Sequence, residues 1–187
     1  METATVELRP ERYRSYLLAV ARGPLHAAGL LRHGISASDI VQEALLQAHQ
    51  ALPQFQGATE AELKAWLRTI LANKLADAAR RQGRQKRNAG LEESFRESVD
   101  ASAERFAQFA AKGTSPTQYV LRRERELLLA EALEDLPEDQ AAAVSLRHLA
   151  GYSVDEIAKE MSRTNAAVAG LLRRGLQNLR ERLRDLE

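Results

Sequence analysis

The sequence predicts an all-α protein with two helical domains, and three observations support this. Ala, Leu, Glu, Arg and Gln dominate the 187 residues, and most of these are strong helix formers. Aromatic residues make up only 5% and β-branched runs are few, which disfavours strands. Apolar residues also recur at helical spacing in several segments. With 44% hydrophobic and 28% charged residues, the chain can form a packed core.

Composition also limits where the protein can act. The chain contains no cysteine, which excludes disulfides and thiolate metal sites and suits a reducing compartment. No apolar run approaches the ~20 residues that a membrane span requires. The N-terminal METATVELRPERYRSYLLAV lacks the charged start, apolar stretch and cleavage site of a signal peptide. We therefore expect a cytoplasmic protein with no membrane association.

Charge is segregated along the chain, although the net charge is only +1. Residues 80–87, RRQGRQKR, carry five basic residues and no acidic one. Residues 91–104 carry five acidic residues against one basic residue, and residues 173–184 are basic again. Two basic elements therefore flank an acidic segment, and the overall charge does not argue against nucleic-acid binding.

These changes in composition predict three parts. A helical N-terminal domain is expected over residues 1–87, a polar linker over 88–114 and a helical C-terminal domain over 115–187. Within the linker, AERFAQFAAK at 103–112 indicates one short amphipathic helix. The last domain is expected to begin with Ser115 and Pro116 as N-cap and first helical residue.

The N-terminal domain is predicted to contain two antiparallel helices. SASD at 36–39 is typical of a capped helix start, and the helix should end at Pro53. Its apolar face consists of Val41, Ala44, Leu45, Ala48 and Leu52, and a second face carries Asp39, Gln42, Glu43 and Leu46. After the loop PQFQGAT, a second helix is predicted over 60–81. Its apolar side consists of Leu63, Trp66, Leu67, Ile70, Leu71 and Leu75.

The C-terminal domain contains three helix starts in close succession. Pro137 opens a helix that Gly151 closes, Ser153 and Glu156 form a capping box, and Thr164 caps a third helix. A short helix, a tight turn and a second helix form the helix-turn-helix pattern. The apolar residues expected where the helices cross are Ile157, Ala158 and Val168.

The last of these helices has few large apolar side chains near its start. The second helix of a helix-turn-helix enters the major groove, and small residues would let its backbone approach DNA closely. Arg173 and Arg174 could then reach phosphates or a guanine edge. The alternative is that the alanines pack against the preceding helix and the arginines are solvated. The small residues are Ala166, Ala167, Ala169 and Gly170.

No group of residues suggests catalysis. The four histidines, at positions 26, 33, 49 and 148, lack metal-ligand spacing. Phosphate-binding GxxxxGK loops, GxSxG elbows and cysteine nucleophiles are also absent from the sequence. We therefore expect no enzyme activity, no metal and no cofactor, and His148 should pack or cap near its helix end.

Two segments together resemble the extracytoplasmic-function (ECF) group of bacterial RNA polymerase sigma factors. LPEDQAAAVSLRHLAGYSVDEIAKEM is similar to region four of that family, with its leucine-proline opening, glycine turn and S-x-x-E-I-A sequence. SDIVQEALLQAHQALPQFQGATEAELKAWLRTILANKLADAARR is similar to region two, with its D-x-V-Q-E helix, phenylalanine-glycine loop and A-W-L-x-x-I-x-x-N helix. The resemblance covers about residues 11–183, least of all the acidic linker.

The resemblance implies a role for three sets of residues. The polymerase-docking set is Asp39, Gln42, Glu43 and Leu46, for which an ordinary solvated face is the alternative. The set that captures and holds the minus-ten strand is Phe55, Gln56, Gly57, Ala58, Thr59, Asn73, Lys74, Asp77, Arg80 and Arg81. The set that reads the minus-thirty-five element is Arg163, Thr164, Asn165, Ala169, Gly170, Arg173 and Arg174.

Some positions leave alternatives or depart from the family pattern. The loop at 55–59 could be a plain turn, and Arg84, Lys86 and Arg87 fit a solvated helix end as well as DNA contact. Trp66 should pack in the core because it lies on the apolar face. The family's recognition helix carries basic residues near positions 169 and 171, where this chain has Ala and Leu. The first helix of family members is usually continuous, whereas the corresponding segment of this chain contains Pro24 and nearby glycines.

The sequence therefore predicts a sigma factor that delivers core RNA polymerase to promoter DNA. The resemblance implies contacts with the clamp helices of the largest polymerase subunit and the flap of the second-largest. Relatives are often held inactive by an anti-sigma protein, although no feature of the sequence names one. The rival interpretations are a stand-alone helix-turn-helix regulator that binds an operator and a helical adaptor without a nucleic-acid role.

Overall fold

A computed structural model describes residues 9–83, 90–111 and 119–185 of the chain. These ranges contain eight α-helices joined by turns and no β-strand, which confirms the all-α prediction. Arg84, Lys86, Arg87, Ser115 and Pro116 lie outside the described residues. The helices are α1 (Arg14–Ala27), α2 (Ala37–Ala51), α3 (Glu60–Arg81), α4 (Leu91–Ala110), α5 (Tyr119–Glu134), α6 (Glu138–Ser145), α7 (Val154–Glu160) and α8 (Asn165–Asp185).

Helix α1 is the central element of the fold. Residues on all its sides are buried between Tyr16 and Leu25, whereas a surface helix would bury one stripe. It contacts α2, α3, α4 and α5, and also a π-helical turn at Leu146–Ala150. Pro24 lies inside α1 and does not interrupt it, so the departure noted in the sequence leaves this helix continuous. Because α1 contacts helices from both the N-terminal and the C-terminal part of the chain, these helices share one hydrophobic core.

Helices α2 and α3 follow the sequence prediction closely. Ser36 caps α2 by accepting a hydrogen bond from the Ser38 backbone N–H at 3.1 Å. Helix α2 ends at Ala51 in a 3₁₀ turn that contains Pro53, and α3 occupies the predicted range. The predicted apolar faces point inward, although Leu45, Leu52 and Trp66 are only half-buried. These two helices thus form the antiparallel pair that the capping and turn signals indicated.

Helix α4 corrects the predicted short helix of the linker. It begins at Leu91 instead of near residue 103, because apolar residues recur every third or fourth position from its start. The acidic residues occupy the other sides of the helix. Because they dominate the composition of this segment, the sequence was interpreted as a polar linker. Its buried residues are Leu91, Phe95, Val99, Ser102, Phe106 and Ala110. Helix α4 packs against α1 and α3 and is part of the shared core, while the domain boundaries stay a prediction.

The helix-turn-helix is present where the sequence predicted it. Helix α6 continues into the π-helical turn, and Gly151 closes it in the left-handed conformation at φ +82°. Helices α7 and α8 then cross over a small second core. This core contains Leu146, Ile157, Ala158 and Val168, which includes the three residues expected at the crossing.

Candidate nucleic-acid interface

Capping bonds fix the starts of both α7 and α8. The Ser153 backbone N–H donates to the Glu156 carboxylate at 2.7 Å, and the Glu156 backbone N–H donates back to Ser153 Oγ at 3.3 Å. Thr164 Oγ1 accepts a bond from the Ala167 backbone N–H at 3.2 Å. Ser162 sits between them at φ +52°, a left-handed conformation that reverses the chain. Helix α8 is therefore held at a defined angle to α7.

The small residues of α8 face outward. Ala166 and Ala169 are exposed, so they do not pack against α7 as the alternative interpretation required. Val168 and Leu171 face the core instead. A Cβ at Gly170 would meet only the movable guanidinium of Arg174, at 3.3 Å or more. The start of α8 thus presents a smooth face, formed by Ala166, Ala169 and Gly170. A large binding partner could approach the helix backbone closely at this face.

Charged and polar side chains border this smooth face. Arg173 and Arg174 are exposed one turn beyond Gly170. Arg163 donates to Asp139 of α6 at 2.6 Å, and Asn165 donates to Asp155 of α7. These carboxylates hold the two side chains in place beside the turn. A DNA phosphate would compete for the same donors, since it is also an anion with several acceptor oxygens.

The loop between α2 and α3 is closed by an aromatic contact. The ring of Phe55 lies 4.9 Å from that of Trp66, measured between centroids. A Cβ at Gly57 would lie only 2.8 Å from Phe55 Cε2, so the loop folds tightly over this ring. Trp66 is half-buried and packs against the core, in agreement with its predicted position on the apolar face. Gln56 and Ala58 remain exposed at the tip of the loop.

Glu62 anchors the far side of this loop, and sequence analysis missed it. Its Oε2 accepts bonds from the backbone N–H groups of Ala58 and Thr59, both at 2.9 Å, and from Thr59 Oγ1 at 2.8 Å. The bond from the Thr59 side chain, followed by those from the two backbone groups, lowers the pKa of Glu62. Thr59 and Glu62 form a capping box, so the spacing T-x-x-E before an apolar run was the available signal.

The predicted DNA-contacting residues of α3 lie near its C-terminal end. Arg80 donates to Asp77 at 2.8 Å and to Glu92 of α4 at 2.5 Å, and the bond to Glu92 contributes most to its raised pKa. Asn73 has a buried Oδ1 without a hydrogen-bond partner, and Lys74 is half-buried. The acidic start of α4 therefore already neutralises one cation of this set.

The predicted docking residues form a face of α2 beside this end of α3. Asp39 and Gln42 are exposed, and Leu46 has 60% of its surface exposed, which is high for a leucine. Glu43 accepts a bond from Arg81 at 3.2 Å. The docking set and the minus-ten set therefore adjoin each other, whereas the minus-thirty-five set lies on α8 and the turn before it.

Other kinds of site were not found in the described part of the chain. No cluster of three or more histidine, aspartate or glutamate side chains there is arranged to hold a metal ion. No helix within those ranges combines the length and apolarity needed to cross a membrane. His148 stacks on Phe109 with ring centroids 4.7 Å apart, which confirms its predicted packing role.

Comparisons with known proteins agree with this geometry. The Sigma-70 region 2 family model matches residues 11–85, and the Sigma-70 region 4 model matches residues 126–179. The ECF RNA polymerase sigma-E factor of Escherichia coli K12 is 30% identical over 154 residues, which cover 79% of this chain and 75% of that protein.

Two further relatives carry the same kind of name. The ECF RNA polymerase sigma-E factor of Haemophilus influenzae is 29% identical over 151 residues, covering 79% of this chain and 76% of the relative. The ECF RNA polymerase sigma factor SigD of Mycobacterium tuberculosis is 34% identical over 152 residues, covering 81% and 65%. A stand-alone operator-binding regulator or an adaptor does not account for the region 2 match. This chain therefore belongs to the ECF group of the sigma-70 family, and as an RNA polymerase sigma factor it directs promoter-specific transcription.

Proposed function

We propose that this sigma factor reads two promoter elements with two separate surfaces and docks on polymerase through a third. The observation that carries the proposal is the outward small-residue face of α8, which ends in two unburied arginines. A face of this kind suits the major groove, because nothing on it prevents the helix backbone from approaching the base edges. The two domains expected from the sequence would each hold one DNA-reading surface.

The duplex at the minus-thirty-five element is read by α8. Arg173 and Arg174 extend from the smooth face and can pair with phosphates or bidentately with guanine. Arg163, Thr164 and Asn165 surround the positive end of the helix, where backbone N–H groups favour a phosphate. Ala169 and Leu171 replace basic residues of the family pattern, so fewer direct contacts are expected and the preferred sequence should differ from that of relatives.

The minus-ten element is read as a single strand by the loop and by α3. An extruded base would stack or bind at the loop tip, where Gln56 offers both a donor and an acceptor. Asn73 and Lys74, both half-buried on α3, would hold the strand behind that base. Arg80 and Arg81 would neutralise phosphates after exchanging their present carboxylate partners.

The docking face of α2 is expected to bind the clamp helices of the largest polymerase subunit. Leu46 supplies an apolar anchor, and the carboxylates of Asp39 and Glu43 surround it. Such an arrangement resembles the apolar centre and polar rim of protein interfaces in general. The C-terminal domain would meet the flap of the second-largest subunit, and an anti-sigma partner stays a prediction from the resemblance.

The chain is proposed to perform no chemistry of its own, since the polymerase supplies it. Because its partner polymerase transcribes the chromosome, the place of action is expected to be the cytoplasm.

In vitro transcription tests the proposal. Purified core polymerase with this chain should start RNA synthesis at defined sites on a genomic fragment library, and sequencing of the starts should give both promoter elements. Asp39→Lys with Glu43→Lys should abolish co-purification with core polymerase while circular dichroism shows unchanged helicity. Glu131→Lys, which changes an exposed acid on α5, is the matched control. If the double variant still co-purifies, the docking face is wrongly assigned.

A further inference from the structure

The start of α8 carries a side-chain amide that the neighbouring helix already holds. Asn165 is the first residue of α8, and its Nδ2 donates a hydrogen bond to Oδ1 of Asp155 on α7. Both residues are exposed, so this bond lies at the surface of the helix-turn-helix. The bond joins residues ten positions apart and connects the two helices across the turn between them.

Both ends of this bond are attached to a fixed backbone. Asp155 lies within the capping box of Ser153 and Glu156, which holds the first turn of α7. Thr164 caps α8 immediately before Asn165. The amide therefore loses its conformational freedom when the protein folds, and little more is lost when a partner binds to it.

The chemistry of the partner assigns the orientation of the Asn165 amide. A carboxylate oxygen only accepts hydrogen bonds, so the group that faces Asp155 is the NH₂ and not the carbonyl oxygen. The bond uses one N–H, and the second N–H and Oδ1 form a neighbouring donor and acceptor. In the major groove this pair matches adenine, which offers N7 as an acceptor and N6–H₂ as a donor. It does not match guanine, whose N7 and O6 are both acceptors.

The other residues at the start of α8 are less suited to reading a base. The smooth face has no polar side-chain atoms, and Leu171 is only 8% exposed and faces the core. Thr164 uses its hydroxyl for the cap, and Arg163 donates to Asp139. In a helix-turn-helix the N-terminal residues of the second helix contact base edges. Asn165 therefore combines the right position with a free donor–acceptor pair.

We propose that Asn165 reads an adenine of the minus-thirty-five element and that Asp155 is the positioning residue behind this specificity. The proposal rests on the duplex reading by α8 described above, and it names the base that one side chain recognises. Asp155 acts through Asn165 and touches no base itself. Its negative charge also repels the phosphates of any sequence, and only DNA with adenine at this position compensates through the bidentate pair.

A purely structural bond is the alternative to this proposal. In that case the bond between Asp155 and Asn165 would only connect α7 to α8, and its loss would weaken binding of all sequences to the same degree. The two roles therefore differ in base preference. A positioning residue changes which base is bound best, whereas a structural bond leaves the order of the four bases unchanged.

Selection from randomised duplexes tests the proposal. Holoenzyme made from core polymerase and the full chain is mixed with a promoter found by start-site mapping, in which the minus-thirty-five region is randomised, and bound duplexes are sequenced. The wild type should enrich adenine at one position. Asn165→Ala should reduce discrimination at that position roughly 10-fold. Asp155→Ala should do the same, although Asn165 is intact. Because both residues are exposed, the Tm of each variant should stay within ~2 °C of the wild type.

The conservative variant separates orientation from charge. Asp155→Asn keeps an acceptor oxygen for Asn165 and removes the negative charge. It should retain the adenine preference and bind all duplexes more tightly, by roughly 3-fold at low salt. Glu131→Gln, which removes an exposed charge from α5, is the matched control and should leave preference and affinity close to those of the wild type.

The outcomes distinguish this proposal from the proposed function. An adenine preference that survives Asn165→Ala or Asp155→Ala would overturn the proposal, as would a wild type that enriches only other bases. Loss of the preference in Asp155→Asn would also contradict it, because the acceptor oxygen is still present. If the wild-type holoenzyme enriches no base anywhere in the minus-thirty-five region, the duplex reading by α8 itself is wrong.

Discussion

The two DNA-facing regions of the molecule begin with the same device and then differ. Both the loop before α3 and the turn before α7 are closed by a capping box, Thr59 with Glu62 and Ser153 with Glu156. In the first region the hydrogen bonds and the Phe55 ring fold the loop onto the protein itself. In the second, the capping box fixes α7, and the reading face of α8 stays free of packing contacts.

This difference matches the two forms of nucleic acid that the regions are proposed to bind. A single strand is flexible, so a binding site for an extruded base must itself be rigid and shaped in advance. A duplex is already rigid and needs only an open face of suitable width. DNA binding should therefore depend mainly on backbone conformation in the loop and mainly on side-chain identity on α8.

The largest effect is expected on α8, where side chains do the reading. Arg173→Ala with Arg174→Ala should cost about 1–3 kcal/mol of promoter affinity for each arginine that contacts a base. Binding of a single-stranded minus-ten oligonucleotide by the holoenzyme should stay unchanged, because the loop is untouched. Fluorescence anisotropy with both DNA forms measures this. Arg184→Ala, exposed near the end of the same helix, is the control, and an equal loss there would indicate a general charge effect.

The opposite pattern, a loss of single-strand binding without a loss of duplex binding, is expected in the loop, where the backbone conformation forms the binding site. Gly57→Val would force the Phe55 ring away from Trp66, since even a Cβ comes within 2.8 Å of that ring. Loss of one ordered base contact, worth about 1–3 kcal/mol, should reduce single-strand binding roughly 10-fold. Duplex binding at the upstream element should not change. Ala58→Ser at the exposed neighbouring position should be nearly silent, and equal losses for both variants would contradict the rigid-loop model.

A smaller effect separates the two capping boxes. Thr59→Ala and Ser153→Ala each remove an N-cap and should lower the free energy of unfolding by about 1 kcal/mol, or roughly 2–4 °C in Tm. Only Thr59→Ala should also weaken minus-ten binding, because its hydroxyl helps to hold the loop. Differential scanning calorimetry and strand-binding assays on both variants measure this. Similar strand-binding losses for the two variants would remove the distinction between the regions.

The smallest effect concerns pH and the contact between α1 and α7. Burial lowers the pKa of His26 in spite of its bond to Glu160, and the cations Arg22 and Arg32 contribute in the same direction. The unfolded chain therefore takes up the proton first as the pH falls below the ordinary value of about 6.5. Folding stability should decline from there until His26 titrates in the folded state, and it should be unaffected at higher pH.

Urea unfolding at pH 7.5, 6.5 and 5.5 measures this pH dependence. His26→Gln should flatten the stability profile over that range. A His26→Gln profile that is as steep as the wild type would assign the effect to other groups.

The parts of the fold that could be predicted depend on local signals. Ser36, Ser153 and Thr164 marked helix starts because capping acts within one turn of helix. The bond between His26 and Glu160 joins residues 134 positions apart, and no local pattern encodes such a contact. The full length of α4 was hidden because its acidic residues dominate the composition, although the spacing of Leu91, Phe95 and Val99 was available in the sequence.

The candidate site follows the same rule. Motif spacing indicated which residues of the loop and of α8 are candidates for DNA contact, but not which of these side chains are already bonded to neighbouring residues. The pairing of Arg80 with Glu92 arises because α4 folds back beside α3, and this depends on the whole core. Exposure of Ala166 and Ala169 could likewise not be deduced, since alanines suit either face of a helix.

The missing side chain at Gly23 of α1 has a consequence for how closely this helix can approach the π-helical turn. A Cβ at position 23 would lie 3.0 Å from Ala150 Cβ, so even Gly23→Ala would require the turn to shift by a few tenths of an ångström. A larger side chain at this position would push α1 and the turn apart, and the packing of the core between them would have to rearrange.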